Sequence, residues 1–479
     1  MTKKFYFLFT MLLFAGFLYS CLEDKAGEGE SETASFTYHE VEPAPFPSLD
    51  IPGFNFPEDS TTILNWVKSG DEDSIYLHGW GIWTGLTSLT TQTIPGDDNP
   101  LRVFETWMTP EEMIDEIKGG DSDYKSDTRS NRANLKTPNQ FTHFTSGVQT
   151  VNDSIHESVS YSPAAAKFAI DNKIFLATTL YNYAKVDNRT EVPFFPNDAI
   201  TIKPVFKILA ASSGETKFNI AAWNGTTEKL DSFPEQDWES FVTVDISGEG
   251  DGAGTYGLDD FIHYKLNDED IHYFEKEFTE NSGNPFEAQP GDIAILVAMH
   301  VGSREITNWT WQTFWWDANA DNPPLPSSKA IADMRPDELT GAARHYSMAV
   351  AYYMINPNEP YAGENVVGEP NYAFNPYLEA GFGVKVFDDG ISHIVTPAND
   401  TIPTYVGVRT NCMSCHRMAT IDPNTVFTSS PSNTPYVGNS YISRTNALFD
   451  GQLLLDFAWS IAGNVDTTGM ATFMASIEE

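Results

Sequence analysis

The segment AITIKPVFKILAA, Ala199–Ala211, is composed as a β-strand, with β-branched Ile, Thr and Val around Phe206. Four further stretches follow the same composition: Lys173–Val186, Lys217–Trp223, Phe241–Ile246 and Asp292–Val301. Turn signals separate them. The pattern predicts an α+β chain, predominantly β, with an antiparallel sandwich or jelly-roll-like body. Few helices are expected. One has Thr109 as N-cap, Pro110 at its first position, Glu112 closing a capping box and Gly119 ending it. A second is predicted over Pro336–Met354 and a third over Leu448–Ala462. No internal repeat is evident. The proline-rich runs Asn322–Ser328 and Thr396–Tyr405 read as connectors, the second marking a boundary near residue 400.

The chain has 479 residues, 41% of them hydrophobic, enough for a sizeable core and for two or more domains. Lys+Arg is 28 against 67 Asp+Glu, a net charge of -39. Such a surface repels nucleic-acid phosphates and anionic membranes, so no nucleic-acid partner is expected. The charge is spread along the whole chain and reads first as solubility. Steering of a basic redox partner is the functional alternative. The Asp-rich loops Pro95–Pro100 and Ser247–Asp260 lack calcium-loop spacing and read as solvated turns.

The three cysteines are Cys21, Cys412 and Cys415. Cys21 closes the N-terminal run MTKKFYFLFTMLLFAGFLYSC, with Lys3 and Lys4 before an apolar core from Phe5 to Leu18. That order describes an export signal. The run is short of the roughly 20 apolar residues of a membrane span. Leu18-Tyr19-Ser20-Cys21 resembles a bacterial lipobox, with Tyr19 bulkier than usual. It predicts lipidation of Cys21 and a chain attached to the membrane through that lipid only. A plain signal peptide or an anchoring helix is the alternative. The polar, acidic segment after Cys21 reads as a tether. The expected organisation is a signal peptide (1–20), a lipidated cysteine and tether (21–45), a β-rich aromatic body (46–400) and a haem-attachment segment of short helices and loops (401–479).

The remaining two cysteines lie in TNCMSCHRMA, Thr410–Ala419. C-x-x-C-H is the spacing of c-type haem attachment. Cys412 and Cys415 are placed to reach the two vinyl groups on one porphyrin edge, and His416 to ligate the iron. One motif predicts one covalent haem c. Attachment takes place outside the cytoplasm, where the export signal sends the chain. A zinc site needs a second ligand pair and no other cysteine exists. A thioredoxin-like pair belongs near a βαβ pattern, which is not evident, and does not need the histidine. A disulfide between Cys412 and Cys415 is the third alternative.

Two tryptophan clusters surround further histidines. HGWGIWTGLT holds His78, Trp80 and Trp83; NWTWQTFWW holds Trp309, Trp311, Trp315 and Trp316. Core packing is the default reading for each tryptophan, a wall around haem or substrate the sharper one. The blocks LHGWGIWTGLT, VFETWMTPEE, LVAMHVGSREITNWTWQTFWW, FNPYLEAG and TNCMSCHRMA, in this order, resemble a family of exported bacterial cytochrome c proteins. The likeness runs from about Leu77 to Trp459, where LDFAWSI also fits. It implies covalent haem and a location in the cell envelope, on the periplasmic or outer face of the outer membrane. It implies no substrate, and only CMSCH carries a chemical role.

Pro423 follows His416 too closely for a long cytochrome helix, so the β-rich body is expected to supply part of the haem pocket. Two functions are compatible with these residues. One is an electron-transfer lipoprotein serving a redox partner in the envelope, with six-coordinate iron. The other is a haem enzyme oxidising a small molecule or reducing a peroxide, with an open distal site near His78, His300 or His345. A binding protein with an aromatic cleft for sugar or peptide is a third, weaker option. His345 is the strongest histidine candidate, on its predicted helix. Among methionines, Met418 is too close to His416 to reach the opposite face of the iron. Met470, in a loop after the Leu448–Ala462 helix, is the predicted sixth ligand, with Met474 behind it.

Overall fold

The computed structural model describes residues 39, 41–95, 97, 99–119, 155–226, 233–281, 288–358, 361, 367–382, 393–395, 401–403, 410–424 and 439–478. The export signal, Cys21, the tether up to residue 38 and most of the Thr396–Tyr405 connector lie outside these residues. Tyr38–Glu479 forms one contact-dense unit.

Its centre is a seven-stranded sheet. The strands are β1 (His156–Glu157), β2 (Ser160–Tyr161), β3 (Ile200–Leu209), β4 (His263–Lys265), β5 (Ile293–Ser303), β6 (Thr310–Trp316) and β7 (Tyr346–Ala351). The spatial order is β1-β3-β5-β6-β7, with β2 also on β3 and β4 also on β5, and every pair antiparallel. The α+β, strand-dominated body expected from sequence is therefore present. Strands β5 and β6 are buried on nearly every residue, and β5 accordingly reads as an apolar run rather than an alternation. A smaller sheet joins Lys217–Ala221, Phe241–Asp245 and Thr255–Gly257. The acidic turns beside it spend Asp245 and Asp251 on nearby backbone N–H groups, as solvated turns do.

Most of the helices are short. Those used below are α1 (Glu72–Thr87), α2 (Pro110–Lys118), α3 (Pro376–Glu379), α4 (Cys412–Arg417), α5 (Trp459–Gly463) and α6 (Met470–Glu478). Helix α2 has the predicted caps: the Thr109 N–H donates to Glu112 at 2.7 Å, and Gly119 ends it at φ 78°.

Three sequence expectations are corrected. Lys173–Val186 is helical rather than extended, with a helix over Ala177–Tyr181 continued by a wider turn over Asn182–Val186. Its buried residues Ile174, Phe175, Ala177 and Leu180 do not alternate, so the strand period is absent. Pro336–Met354 is no helix: a tight turn over Gly341–His345 leads into β7, which pairs with β6 from Tyr346↔Trp316 to Ala351↔Trp311. A strand buried on both faces lacks the period-2 signal that would have told it from a helix. Leu448–Ala462 is broken by left-handed backbone at Asp456 (φ 45°) and Phe457 (φ 70°). Before that break, Leu453–Leu454 pairs with Thr420–Ile421, and only α5 is α-helical.

The tryptophans divide by role. Trp80, Trp83, Trp309, Trp315 and Trp316 are core residues, and Trp83 stacks on Phe314 at 4.3 Å between ring centroids. Trp311 instead lines the cleft described next. Among the described residues no helix is long and apolar enough to cross a membrane.

Candidate functional site: a cleft between the sheet and the CMSCH helix

Helix α4 is barely more than one turn. Its N-cap is Asn411, whose side-chain oxygen accepts the Ser414 N–H at 3.0 Å. The Asn411 amide also donates to the carbonyls of Met354 (2.9 Å) and Asn371 (2.8 Å), tying the helix start to the body. Residues three and four apart share a helix face. Cys412, Cys415 and His416 accordingly form one half-buried face, while Met413, Ser414 and Arg417 point into the core. The two thiols are not bridged to each other.

That face lines a cleft enclosing about 1120 Å³ of empty space, its solvent mouth included. The opposite wall is the main sheet. Thr201 and Lys203 of β3, His300 and Gly302 of β5 and Trp311 of β6 line it, and register pairs Lys203↔His300 and Gly302↔Trp311 put them on one face. Helices α3 and α5 close the ends through Glu379, Trp459 and Ser460. The body thus supplies much of the wall around CMSCH.

His416 is held on two sides, and its turn by a third contact. Its Nδ1–H donates to the Phe457 carbonyl at 2.7 Å. In the neutral ring this leaves the lone pair on Nε2, the arrangement of a metal-ligating histidine with its second nitrogen anchored. Trp311 lies against the imidazole at 4.0 Å between centroids. The Trp459 indole N–H donates to the Cys415 carbonyl at 3.1 Å, fixing the last turn.

The Phe457 carbonyl reaches His416 because the chain is left-handed at Asp456 and Phe457. Such backbone costs about 1–3 kcal/mol per residue and persists only where neighbours enforce it. Here the Asp456 carboxylate accepts from the Phe195 N–H (3.0 Å) and from Arg304 Nε (3.1 Å). Burial raises the Asp456 pKa, and Arg304 pulls against that rise. The Arg417 guanidinium covers the Phe457 ring at 4.2 Å.

Gly302 is required by a close approach. A Cβ there would sit 2.7 Å from Cζ3 of Trp311, the ring that backs His416. Gly302→Ala is expected to cost about 1–3 kcal/mol, as overpacking does. A denaturant midpoint equal to that of the wild type would show that the ring yields freely.

The other sequence candidates fall elsewhere. His78 is buried in α1, its ring nitrogens bonded to the Tyr352 hydroxyl (2.6 Å) and Glu305 (3.1 Å). His345 sits on a turn, not a helix, 3.4 Å from Asp260. Met418 is buried at the end of α4. Met470 begins α6 instead of occupying a loop, and is buried in the core. None of these lines the cleft; of the three histidine candidates, His300 alone does. Sequence reasoning did not single out Glu379, Asn411, Asp456 or Phe457. The Phe457 contribution is a backbone carbonyl, to which side-chain chemistry gives no clue.

The site fits a covalent porphyrin by its donors: two unbridged thiols and an anchored imidazole share one face of the cleft. Among the described residues no group of three or more His, Cys, Asp and Glu side chains is arranged for a bare metal ion. No family model, characterised protein or solved structure matches this chain.

Proposed function

We propose that the protein is an exported monohaem c-type cytochrome lipoprotein that transfers electrons in the cell envelope. The observation that carries this reading is the shared face of Cys412, Cys415 and His416 on one cleft, with His416 Nδ1 anchored on Phe457. Cys412 and Cys415 would hold the haem covalently through its vinyl groups, and His416 Nε2 would ligate its iron. A haem held this way provides a one-electron couple whose potential the ligands and their hydrogen bonds set.

The chain's own residues do the rest. Asn411 and Trp459 fix the two ends of the attachment turn. Phe457 and Trp311 set the tautomer and plane of the His416 ring. The acidic surface favours a basic patch on the redox partner. Full-length protein produced where haem is attached should keep a haem-staining band after denaturation, with one iron per chain. A colourless mature protein would overturn the proposal.

Cys21 is proposed as the lipid anchor. Cys21→Ala should move the protein from the membrane to the soluble fraction. A variant that stays with the membrane, or a mature N-terminus well beyond Cys21, would remove the lipobox reading.

A further inference from the structure

We propose that Trp311 and Trp309 form a redox-active relay that passes single electrons from the CMSCH cleft to a high-potential one-electron acceptor at the helix Pro163–Asp171. This inference rests on the c-type haem reading and names a route and a kind of acceptor that the reading leaves open.

The rings form a continuous series. Trp311 lines the cleft and lies against His416 at 4.0 Å between centroids. Trp309 stacks on Trp311 at 6.0 Å with 26° between their planes. Phe195 meets Trp309 edge-on at 5.5 Å, and Phe168 meets Phe195 at 4.6 Å. From Trp311 outward, each spacing falls within the roughly 4.5–7 Å of packed aromatic pairs. The series ends at Phe168, half-buried on the helix Pro163–Asp171. Trp316 stands apart from it, stacked on Phe261.

Core packing alone does not account for Trp309. Its backbone is left-handed, with φ 60°, an outlier for a bulky side chain. Its indole Nε1 is buried and has no hydrogen-bond partner among the described residues. Buried tryptophans usually find one. Trp80, Trp83, Trp311 and Trp316 each donate theirs to a backbone carbonyl. Strain and an unsatisfied donor on one residue point to a placement that serves something besides stability. What that placement achieves is contact with Trp311 on one side and with Phe195 on the other.

Indole gives up one electron to a strong oxidant, and the phenylalanine ring does not. The acceptor takes one electron from Trp309 across Phe195 and Phe168. Trp311 refills Trp309, and the haem held on His416 refills Trp311, its iron passing from ferrous to ferric. One electron leaves the protein, and no bond is made or broken. The Trp309 N–H keeps its proton, because no described residue is hydrogen-bonded to it as an acceptor. The oxidised ring is therefore a radical cation. A low-potential partner draws no electron from indole and has to meet the haem at the cleft mouth.

The test puts a ruthenium photo-oxidant on the thiol introduced by Lys167→Cys, an exposed position next to Phe168. Two full-length proteins carry it. One is haem-loaded with Cys21→Ala. The other is haem-free, with Cys21→Ala, Cys412→Ala and Cys415→Ala, so the introduced thiol is the one labelled. In the haem-free chain, flash oxidation of the label should give the transient absorption of an indole radical cation. Trp309→Phe keeps a packed ring and should lose that signal. Trp316→Phe, an equal change at a buried tryptophan off the series, should keep it and so controls for packing. In the haem-loaded protein, previously reduced haem should be oxidised in a fast phase that Trp309→Phe loses. Trp311→Phe should form the Trp309 radical but leave it unfilled. A radical signal unchanged in Trp309→Phe would overturn the relay while leaving the cytochrome reading intact. So would haem oxidation that neither tryptophan variant slows. Absence of covalent haem in the wild type would overturn the underlying reading instead, and the haem-free chain would still decide whether the tryptophan pair is redox-active.

Discussion

Replacing both Cys412 and Cys415 with alanine is expected to abolish covalent haem while export and folding continue. The two thiols are half-buried on a cleft wall, and Asn411, not a sulfur, caps their helix. The rest of the turn therefore stays in place without them. Their acidity bears on the dithiol alternative. Burial, then the nearby Glu379 carboxylate, pushes the Cys415 pKa up to about 12 and raises Cys412 well above its ordinary value. A group with a raised pKa keeps its proton further up the pH scale. At neutral pH the folded, haem-free chain thus holds about 10³-fold less Cys415 thiolate than an ordinary cysteine. Exchange-active dithiols show the opposite, a lowered pKa. Iodoacetamide should label the haem-free wild type slowly at pH 8, faster as pH rises toward 12, and rapidly on unfolding. Fast labelling of the folded chain at pH 7 would favour the redox dithiol. A haem-staining band from the denatured double variant would end the attachment proposal.

Glu305→Ala is expected to destabilise the fold by about 3–5 kcal/mol, the cost of removing one partner from a buried pair. The Glu305 side chain is fully buried and accepts from the Glu58 N–H at 2.7 Å, from His78 Nε2 at 3.1 Å and from the Ser303 hydroxyl. Alanine leaves all three donors without that acceptor inside the protein. Glu305→Gln keeps one oxygen and should cost less. The loss should appear in the denaturant midpoint of both haem-free and haem-loaded protein. A midpoint within error of the wild type for Glu305→Ala would show that water or rotation satisfies the three donors.

Glu305 belongs to a loop that ties distant parts of the chain together. The turn between β5 and β6 carries Arg304, which binds Asp456, Glu305, which binds His78, and Asn308, which accepts from Arg417. In sequence this loop reads only as the polar interval REITN between two apolar runs. Its partners lie up to |i−j| = 247 away, a separation no local pattern encodes. Damage to the loop should reach the CMSCH turn through Asp456 as well as the core through His78.

Much was legible in the residues alone. CMSCH states its own geometry, because positions i, i+3 and i+4 must share a face wherever one helical turn forms. The α2 caps, four of the five strand stretches and the antiparallel α+β body follow from local composition, since each is settled by neighbours within a few residues. Tertiary packing settled the remainder. Burial on both faces made Tyr346–Ala351 a strand where apolar runs are ambiguous. The Asp456–Phe457 break, paid for by Arg304 and Phe195, ended the helix expected there and delivered a carbonyl to His416. The same long-range packing carried Met470 into the core and left His300 on the cleft. Which side chain stands across from the attachment turn depends on how the sheet and the C-terminal segment fold together, and not on spacing along the chain.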